Sequence, residues 1–471
     1  MGTITMKFGG TSVGSADAMS QVMQIVADSL ADGNRVAVVV SAMSGVTNLL
    51  LKTVEAAKTG DKWTYTEVSQ EIREKHEEAA ELLISDEEVR DQFIAKLDKM
   101  LEQHIELCTA IGTLGEVTPR IADAIVSFGE RLSSRLISAA MKERNINAKQ
   151  FDSSQFIITN HNYQDADPLW DVTEKNIREQ LLPQLDEGIV PIITGFIGST
   201  PDGVITTLGR GGSDFSAAIF AAYLDSDELI IWTDVDGVMT TDPRIDKRAR
   251  VLPNVSYQEV GEMAFYGAKV LHPKTVQPII SQEIPLRVRN TFNPTHPGTL
   301  ITATPTPSDT VIKAVTSIRN VSMLTVSGKG MLGVPGIAGR TFLATADSGA
   351  SILMISQSSS EQNFCFIVTD GQADGVKGSV ESELAKEIED QDVDSVSITS
   401  DIVIVTVVGA GMRGTMGVAG RVFTTMGDNG INVLAIAQGS SECSISFVVN
   451  ENDLEHAVSS LHELALQAVP A

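Results

Sequence analysis

Between Thr206 and Leu224 the chain reads TTLGRGGSDFSAAIFAAYL: an apolar run closes on three glycines and opens at once into a helix-period stretch. Glycines between a strand and a helix let backbone N–H groups close on a phosphate, and the helix N-terminus adds a favourable field. Arg210 offers a fork of donors suited to a carboxylate or phosphate, while Asp214 could hold a cation or cap the helix. A tight turn with a capping aspartate would look the same, so other stretches must decide. Two more loops share the pattern. Ile4–Phe8 runs into Gly9-Gly10-Thr11-Ser12-Val13-Gly14-Ser15, and the apolar RVAVVVS of Arg35–Ser41 runs into Ala42-Met43-Ser44-Gly45-Val46-Thr47-Asn48.

The elements that must position these loops follow from periodicity. Strand–loop–helix units twice within the first 60 residues argue a doubly wound α/β sheet, its strands buried on both faces. Thr66 to Ala110 is charged and helix-periodic, a helical excursion from the sheet, and Pro119–Asn145 continues helical through Ser127-Phe128-Gly129-Glu130-Arg131. Strands are predicted at Gly188–Phe196, Val204–Thr207, Leu229–Thr233, Leu286–Arg289 and Leu300–Thr302. Thr304-Pro305-Thr306-Pro307-Ser308-Asp309 reads as a linker. Beyond it the chain repeats at a constant offset of 81 residues, Ser327-Gly328-Lys329-Gly330-Met331 through Glu361 matching Val408-Gly409-Ala410-Gly411-Met412 through Glu442. Each copy reads strand, glycine loop, helix, strand, strand, helix, and so small a unit pairs with its sibling to build a core. The expected division is a catalytic domain over 1–303, a linker over 304–313, and small domains over 314–391 and 392–471.

Composition bounds the function. At 471 residues several domains are expected, and a 42% hydrophobic content with mean hydropathy +0.07 is that of a globular protein. Sixty-one acidic against 35 basic residues leave a net charge of −26, which disfavours nucleic acid and anionic membranes as partners. An anionic substrate must therefore be drawn in by local Lys, Arg and backbone N–H groups. Cys108, Cys365 and Cys443 sit far apart in apolar surroundings, as reduced cysteines of a cytoplasmic protein do. No zinc-type spacing, signal sequence or membrane-length apolar run is read, so no protein-held metal is expected.

Three motif matches mislead. Gly10-Thr11-Ser12-Val13-Gly14 satisfies the nucleophile-elbow pattern of hydrolases, but only one strand precedes it. Gly328 to Gly333 and Gly409 to Gly414 satisfy the dinucleotide fingerprint, yet the next strands end in Gln357 and Gln438, where a ribose-binding acid is wanted. These loops are read instead as admitting a small ligand or a neighbouring backbone.

KFGGTS at Lys7–Ser12, SFGE at Ser127–Glu130, TLGRGGSD at Thr207–Asp214, WTDVDG at Trp232–Gly237, TDPR at Thr241–Arg244 and FYGAKVLHP at Phe265–Pro273 together resemble the aspartate kinases. The resemblance covers essentially the whole chain and implies an amino-acid-kinase fold, a three-layer α/β sandwich on a mostly parallel sheet. Two ACT domains of ferredoxin-like βαββαβ topology would follow. It implies transfer of a phosphoryl group from ATP, with Mg²⁺ held through phosphates, to L-aspartate. Lys7 would reach the transferring phosphoryl group, with Asp214 organising it and Gly9, Gly10, Gly209, Gly211 and Gly212 lining the phosphates. Arg210 would clamp the α-carboxylate, Glu130 would take the α-ammonium, and Ser41, Thr47 and Ser213 would complete the substrate site. The nucleotide would lie along Thr233, Asp234, Met239, Arg244 and Lys269. An allosteric amino acid, threonine before lysine, would bind the ACT tail near Met331, Gly333, Gln357, Met412, Gly414 and Gln438. A cytoplasmic homodimer or homotetramer joined through the ACT units is expected, without the homoserine dehydrogenase fused in some relatives. The alternatives are a sibling amino-acid kinase, or an amino-acid sensor on a kinase fold that has lost its chemistry.

Overall fold

A strand whose every residue is apolar needs cover on both faces, and the first two strands set the architecture accordingly. In the computed structural model, which describes residues 2–265, 271, 273–304, 310–358 and 362–466, β1 (Thr3–Phe8) and β2 (Arg35–Val40) run parallel and almost wholly buried. Between them α1 (Ala16–Ala31) starts at Ser15, whose hydroxyl accepts from the Ala18 amide. After β2 comes α2 (Val46–Lys58), and the helical excursion forms α3 (Lys62–Leu83) and α4 (Glu87–Leu114). Their apolar stripes, Tyr65, Val68 and Ile72 on one and Phe93, Leu97 and Leu101 on another, join one core with α1. The helical stretch predicted next is two helices, α5 (Pro119–Val126) and α6 (Phe128–Glu143).

A short edge strand, β3 (Ala148–Phe151), escapes the sequence reading because AKQF is half polar and four residues long. α7 (Trp170–Asn176) and α8 (Leu182–Asp186) lead into β4 (Val190–Thr194), and a small hairpin follows, β5 (Ile197–Ser199) against β6 (Ile205–Thr207). Then come α9 (Gly212–Tyr223), β7 (Glu228–Thr233), β8 (Asn254–Ser256), α10 (Tyr257–Phe265), α11 (Pro273–Ile280), β9 (Leu286–Asn290) and β10 (Thr299–Thr302). The eight-stranded sheet has the order β3-β4-β2-β1-β7-β9-β10-β8 and is parallel except where β10 meets β9. This is the mostly parallel α/β sheet expected from the buried strands.

The rest of the chain builds on β11 (Ala314–Ser327), α12 (Ile337–Asp347), β12 (Met354–Gln357), β13 (Asn363–Thr369), α13 (Asp370–Glu383) and α14 (Ala385–Glu389). The second copy supplies β14 (Ser395–Val408), α15 (Val418–Asp428), β15 (Ala435–Ala437), β16 (Ser444–Asn450) and α16 (Leu454–Leu466). All six strands form one antiparallel sheet, β12-β13-β11-β14-β16-β15. The long strands β11 and β14 pair from Ala314–Val408 to Ser327–Ser395, with slips between Ile318 and Met323. Each lobe therefore takes its last strand from the other copy. Val393 and Val396 enter the core of Leu324, Phe364 and Phe366, while Ile312 and Val315 enter that of Val405, Phe447 and Leu461. At the sheet edges the Ser356 hydroxyl donates to the Ile436 carbonyl at 3.0 Å, so β12 and β15 meet each other there.

Contacts divide the chain into two units that do not follow a linear cut. One comprises Met1–Val238, Val251–Tyr257 and Val270–Thr304; the other comprises Met239–Arg250, Gln258–Lys269 and Pro305–Ala471. Two stretches from within the kinase-like sequence thus pack with the tandem lobes. Residues 305–309 of the proline-rich linker lie outside the described residues, and at its end Ile312 and Lys313 are buried. A Cβ on Gly328 would strike the Asp392 carbonyl, and one on Gly409 would strike that of Val311. The glycines of both loops admit the neighbouring backbone. Within this unit Lys313 Nζ lies 3.0 Å from Glu259 Oε2, both side chains buried, and Glu259 Oε1 accepts from the Ala410 amide at 2.7 Å. His462, fully buried, bridges Asp246 Oδ2 and Thr240 Oγ1 at 2.8 Å each.

Removing one partner of a buried pair leaves the other charge uncompensated. Lys313→Met should destabilise this unit by about 3–5 kcal/mol. Lys313→Met/Glu259→Gln should recover most of the loss, since the amide oxygen still accepts from Ala410. Urea unfolding of the full chain compares the two.

Candidate active site

The carboxyl ends of β1, β2 and β7 and the N-terminus of α9 enclose a cavity of about 580 Å³. Lys7, Gly9, Gly10, Ser41, Thr47, Glu130, the whole Gly209–Asp214 turn, Thr233 and Asp234 line it. They come from four loops and, for Glu130, the first turn of α6, and all are among the site residues expected from the sequence. Those expectations had not named Thr11, Ala42, Met43, Ser44, Gly45 or Phe196, which also line the cavity. All but Phe196 belong to the small-residue loops already singled out. Phe196 carries a sequence signal only in hindsight: it takes φ 67°, between Gly195 and the β5 hairpin.

The turn into α9 is built as its glycines require. Gly209 and Gly211 take φ 73° and 75°, and the Gly212 amide donates back to the Gly209 carbonyl at 3.0 Å. That leaves the Ser213 and Asp214 amides as first-turn donors without intrahelical partners, facing a position where the helix dipole favours an anion. Lys7 Nζ and Asp214 Oδ1 form an ion pair at 2.6 Å, with side chains only 10% and 15% exposed. Gly9 contributes differently from expectation. Its amide donates to the Trp232 carbonyl at 3.1 Å, tying the end of β1 to β7 rather than pointing at a ligand. Ser12, the serine of the elbow-like pattern, is fully buried and bonded to Thr291 Oγ1 at 2.8 Å, so it is no nucleophile.

Glu130 lies on the first turn of α6 and is 4% exposed. Burial pushes its carboxyl up to about 7, against the backbone amides of Ala42 and Glu130 and the nearby charge of Lys7, which pull it down. Its Oε2 has no hydrogen-bond partner. A buried acceptor left open on a cavity wall is a site for a donor from a ligand. Arg210 is the counterpart: exposed, lining the same cavity, and without a partner among the described residues. One cavity thus holds an acceptor for a cation, a free guanidinium for a carboxylate, and a screened lysine beside a helix N-terminus.

Other predicted residues fall elsewhere. Met239 and Arg244 belong to the second unit and do not line this cavity; Arg244 bonds both carboxylate oxygens of Asp242. Lys269 lies outside the described residues. Met331 and Met412 are buried in the cores of the two lobes. Gly333 and Gly414 take φ 79° and 68°, and the Gly414 amide already donates to Glu442 at 2.9 Å. Gln357 and Gln438 are exposed at or just beyond the ends of the edge strands. Among the described residues no His, Cys, Asp and Glu group could hold a metal ion, and no helix is long and apolar enough to cross a membrane.

Comparison with known proteins gives this arrangement a class. The amino acid kinase family matches residues 2–290, and the ACT domain matches residues 324–384 and 405–464. The chain belongs to the amino acid kinase family, with the aspartokinases as its relatives and two ACT domains behind the kinase fold. It is 36% identical over 464 residues to the chloroplastic bifunctional aspartokinase/homoserine dehydrogenase 1 of Arabidopsis thaliana, covering 97% of this chain and 50% of that one. The chain thus spans about half the length of the bifunctional relatives it matches. To the chloroplastic aspartokinase 2 of the same plant it is 34% identical, covering 99% of this chain and 85% of the relative. Among solved structures, E. coli aspartokinase III in complex with aspartate and ADP (R-state) superposes with a TM-score of 0.82 at 31% identity, over 99% of this chain and 100% of that one. The same protein in complex with lysine and aspartate (T-state) gives 0.80, also at 31% identity and with the same coverage.

The Glu130 carboxyl carries a pH signature. Its folded value is raised above the ordinary 4.5, so the folded protein holds this proton more tightly than the unfolded chain. Its contribution to stability therefore falls as pH rises from about 4.5 to 7. Glu130→Gln should flatten that part of the stability–pH curve, as thermal unfolding between pH 5 and 7.5 would register.

Proposed function

We propose that this chain is an aspartate kinase, transferring the γ-phosphoryl group of ATP, entering as its magnesium complex, to the β-carboxylate of L-aspartate. The observation that carries the reading is the pairing of Glu130, with an open buried acceptor oxygen, and Arg210, an unpartnered guanidinium, on one cavity wall. Together they suit the ammonium and carboxylate of an α-amino acid, and the R-state relative was solved with aspartate and ADP. A β-carboxylate is already ionised at neutral pH, so the acceptor needs no general base. What the reaction does need is positioning and neutralisation of charge on the transferring group. Lys7 supplies that charge, held by Asp214 at 2.6 Å, and the amides opening α9 add their donors. Asp234, exposed at the end of β7, and Thr233 lie where the nucleotide side would begin, with Met239, Arg244 and Lys269 proposed further along it. Retention of Lys7, Glu130, Arg210 and Asp214 speaks against a sensor without chemistry.

Incubation with ATP and aspartate followed by hydroxylamine trapping of the acyl phosphate tests the activity; glutamate and acetylglutamate as acceptors test the sibling reactions. Lys7→Ala should lower kcat by about two orders of magnitude or more, as loss of a preorganised charge does, with the KM for aspartate little changed. Arg210→Ala should raise that KM strongly, and Arg210→Lys should rescue poorly, because a point charge cannot make the two-pronged contact.

We further propose feedback inhibition by L-threonine through the ACT lobes, acting where Gln357 and Gln438 stand exposed beside the glycine loops. A neutral amide both donates and accepts, which fits a small hydroxyl side chain better than an ammonium. Because Met331 and Met412 are core residues, they would contribute only backbone, as would Gly333 and Gly414. Titrating threonine and lysine separately against initial rate should show inhibition by threonine, relieved in Gln357→Ala/Gln438→Ala; inhibition by lysine alone would refute it. A cytoplasmic homodimer or homotetramer joined through these lobes belongs to the same proposal, and light scattering at micromolar concentration measures its state.

A further inference from the structure

Asp123 does not line the cavity, yet its carboxylate is 2% exposed and heavily used. Oδ2 accepts from the amides of Gln164 at 2.9 Å and Thr207 at 3.0 Å, and Oδ1 accepts from the Thr207 hydroxyl at 2.9 Å. Thr207 ends β6, and Arg210 follows three residues later. Gln164 takes φ 73° in a loop that lies directly against Gly209, where an added Cβ would strike Asp165 and come 3.1 Å from the Gln164 carbonyl. The Ala166 amide closes the same loop onto the Thr207 carbonyl at 3.0 Å, and Lys274 pairs with Asp165 at 2.7 Å. Among the described residues Arg210 has no side-chain partner to hold it, so its place depends on this backbone bed.

The helix that carries Asp123 also leads to Glu130. The Ser127 amide donates to the Asp123 carbonyl and the Arg131 amide to the Ser127 carbonyl, so Ser127 joins α5 directly to α6. Seven residues separate the two acids in the chain. The joined pair of helices therefore presents the acceptor for an ammonium directly and sets the carboxylate clamp through β6.

We infer that Asp123 is a positioning residue for substrate recognition, fixing the Arg210 turn at a set distance from Glu130 so that the pair fits the ammonium and carboxylate of one α-amino acid. The inference rests on the aspartate kinase reading. It concerns affinity for the amino acid, not the phosphoryl transfer, because Lys7 and Asp214 are held independently by their own pair.

The test compares Asp123→Ala with Asp123→Asn. Alanine leaves two buried amides unpaired, and the KM for aspartate should rise about tenfold or more while kcat and the KM for ATP stay within about twofold. Asparagine should stay within about threefold of wild type, since its carbonyl can accept both amides and its NH₂ can donate to the Thr207 hydroxyl. Thr207→Val, which removes one bond only, should raise the same KM by a smaller factor and serves if the alanine variant does not fold. Equal rises in both KM values, a fall in kcat at unchanged aspartate KM, or asparagine as damaging as alanine would overturn the inference while leaving the activity in place. A wild-type protein that forms no hydroxylamine-trapped product from aspartate would overturn the parent reading and this inference with it.

Discussion

Lys7 lies one residue from the end of β1, a strand with buried neighbours on both sides, and its ammonium is paired with Asp214, 2.6 Å away at the start of α9. A buried charge is costly unless it is paired. Much of the site follows from meeting that requirement. Asp214 must be delivered to the end of β1, so α9 must begin there, and a helix beginning there aims its free amides and its dipole into the same space. The turn into that helix must be tight enough for Gly209 and Gly211 to take left-handed backbone, and Arg210 between them is thrown outward into the cavity. A single ion pair thus fixes a cation, a helix terminus and an arginine around one volume.

The second unit solves a different problem. Each ACT copy alone has too little core to stand, and duplication followed by exchange of strand halves gives two cores sharing one sheet. The exchange brings residues 391–394 and 310–313 against the two glycine loops, and the copies then diverge. In the first, the Lys329 amide meets exposed Asp394 at 3.3 Å; in the second, the equivalent Ala410 amide meets buried Glu259 at 2.7 Å, with Lys313 neutralising it. Residue 313 stands to 394 at the same 81-residue offset, so a lysine in one copy occupies the place of an aspartate in the other. The second loop is consequently tied through Ala410 to a residue drawn from the kinase-like sequence, and the first is tied to an exposed aspartate of its own tandem.

Long periodic elements and small-residue loops were legible in the sequence because their causes are local. The apolar runs of β2, β4 and β7, the helical periodicity of α3 and α4, and the glycines before α9 need no knowledge of the partner they pack on. What was missed depends on partners far along the chain. β3 and β8 are strands because a neighbour offers them a ladder, and AKQF and NVS carry little of that in themselves. Gly9 reads as a phosphate donor by its neighbours and is spent on Trp232, 223 residues away. Asp123 was invisible as a functional position for the same reason: an acid inside PRIADAIV looks like a helix-face residue until β6 arrives to use it.

An excess of 26 negative charges runs against the anionic ligands proposed for this cavity, and the structure answers by geometry rather than by net charge. Of the three acids that line the cavity, Asp214 is paired with Lys7, burial favours the neutral form of Glu130, and Asp234 alone stands exposed, accepting from the Thr233 hydroxyl at 3.2 Å. Over a Debye length of about 8 Å at physiological salt, the distant surface carboxylates are largely screened from the site. What an incoming anion meets at contact distance is Arg210, the α9 amides and Lys7. Under the proposed reading Glu130 has a second use: burial favours its neutral form in the free protein, and an arriving ammonium would favour its charged form.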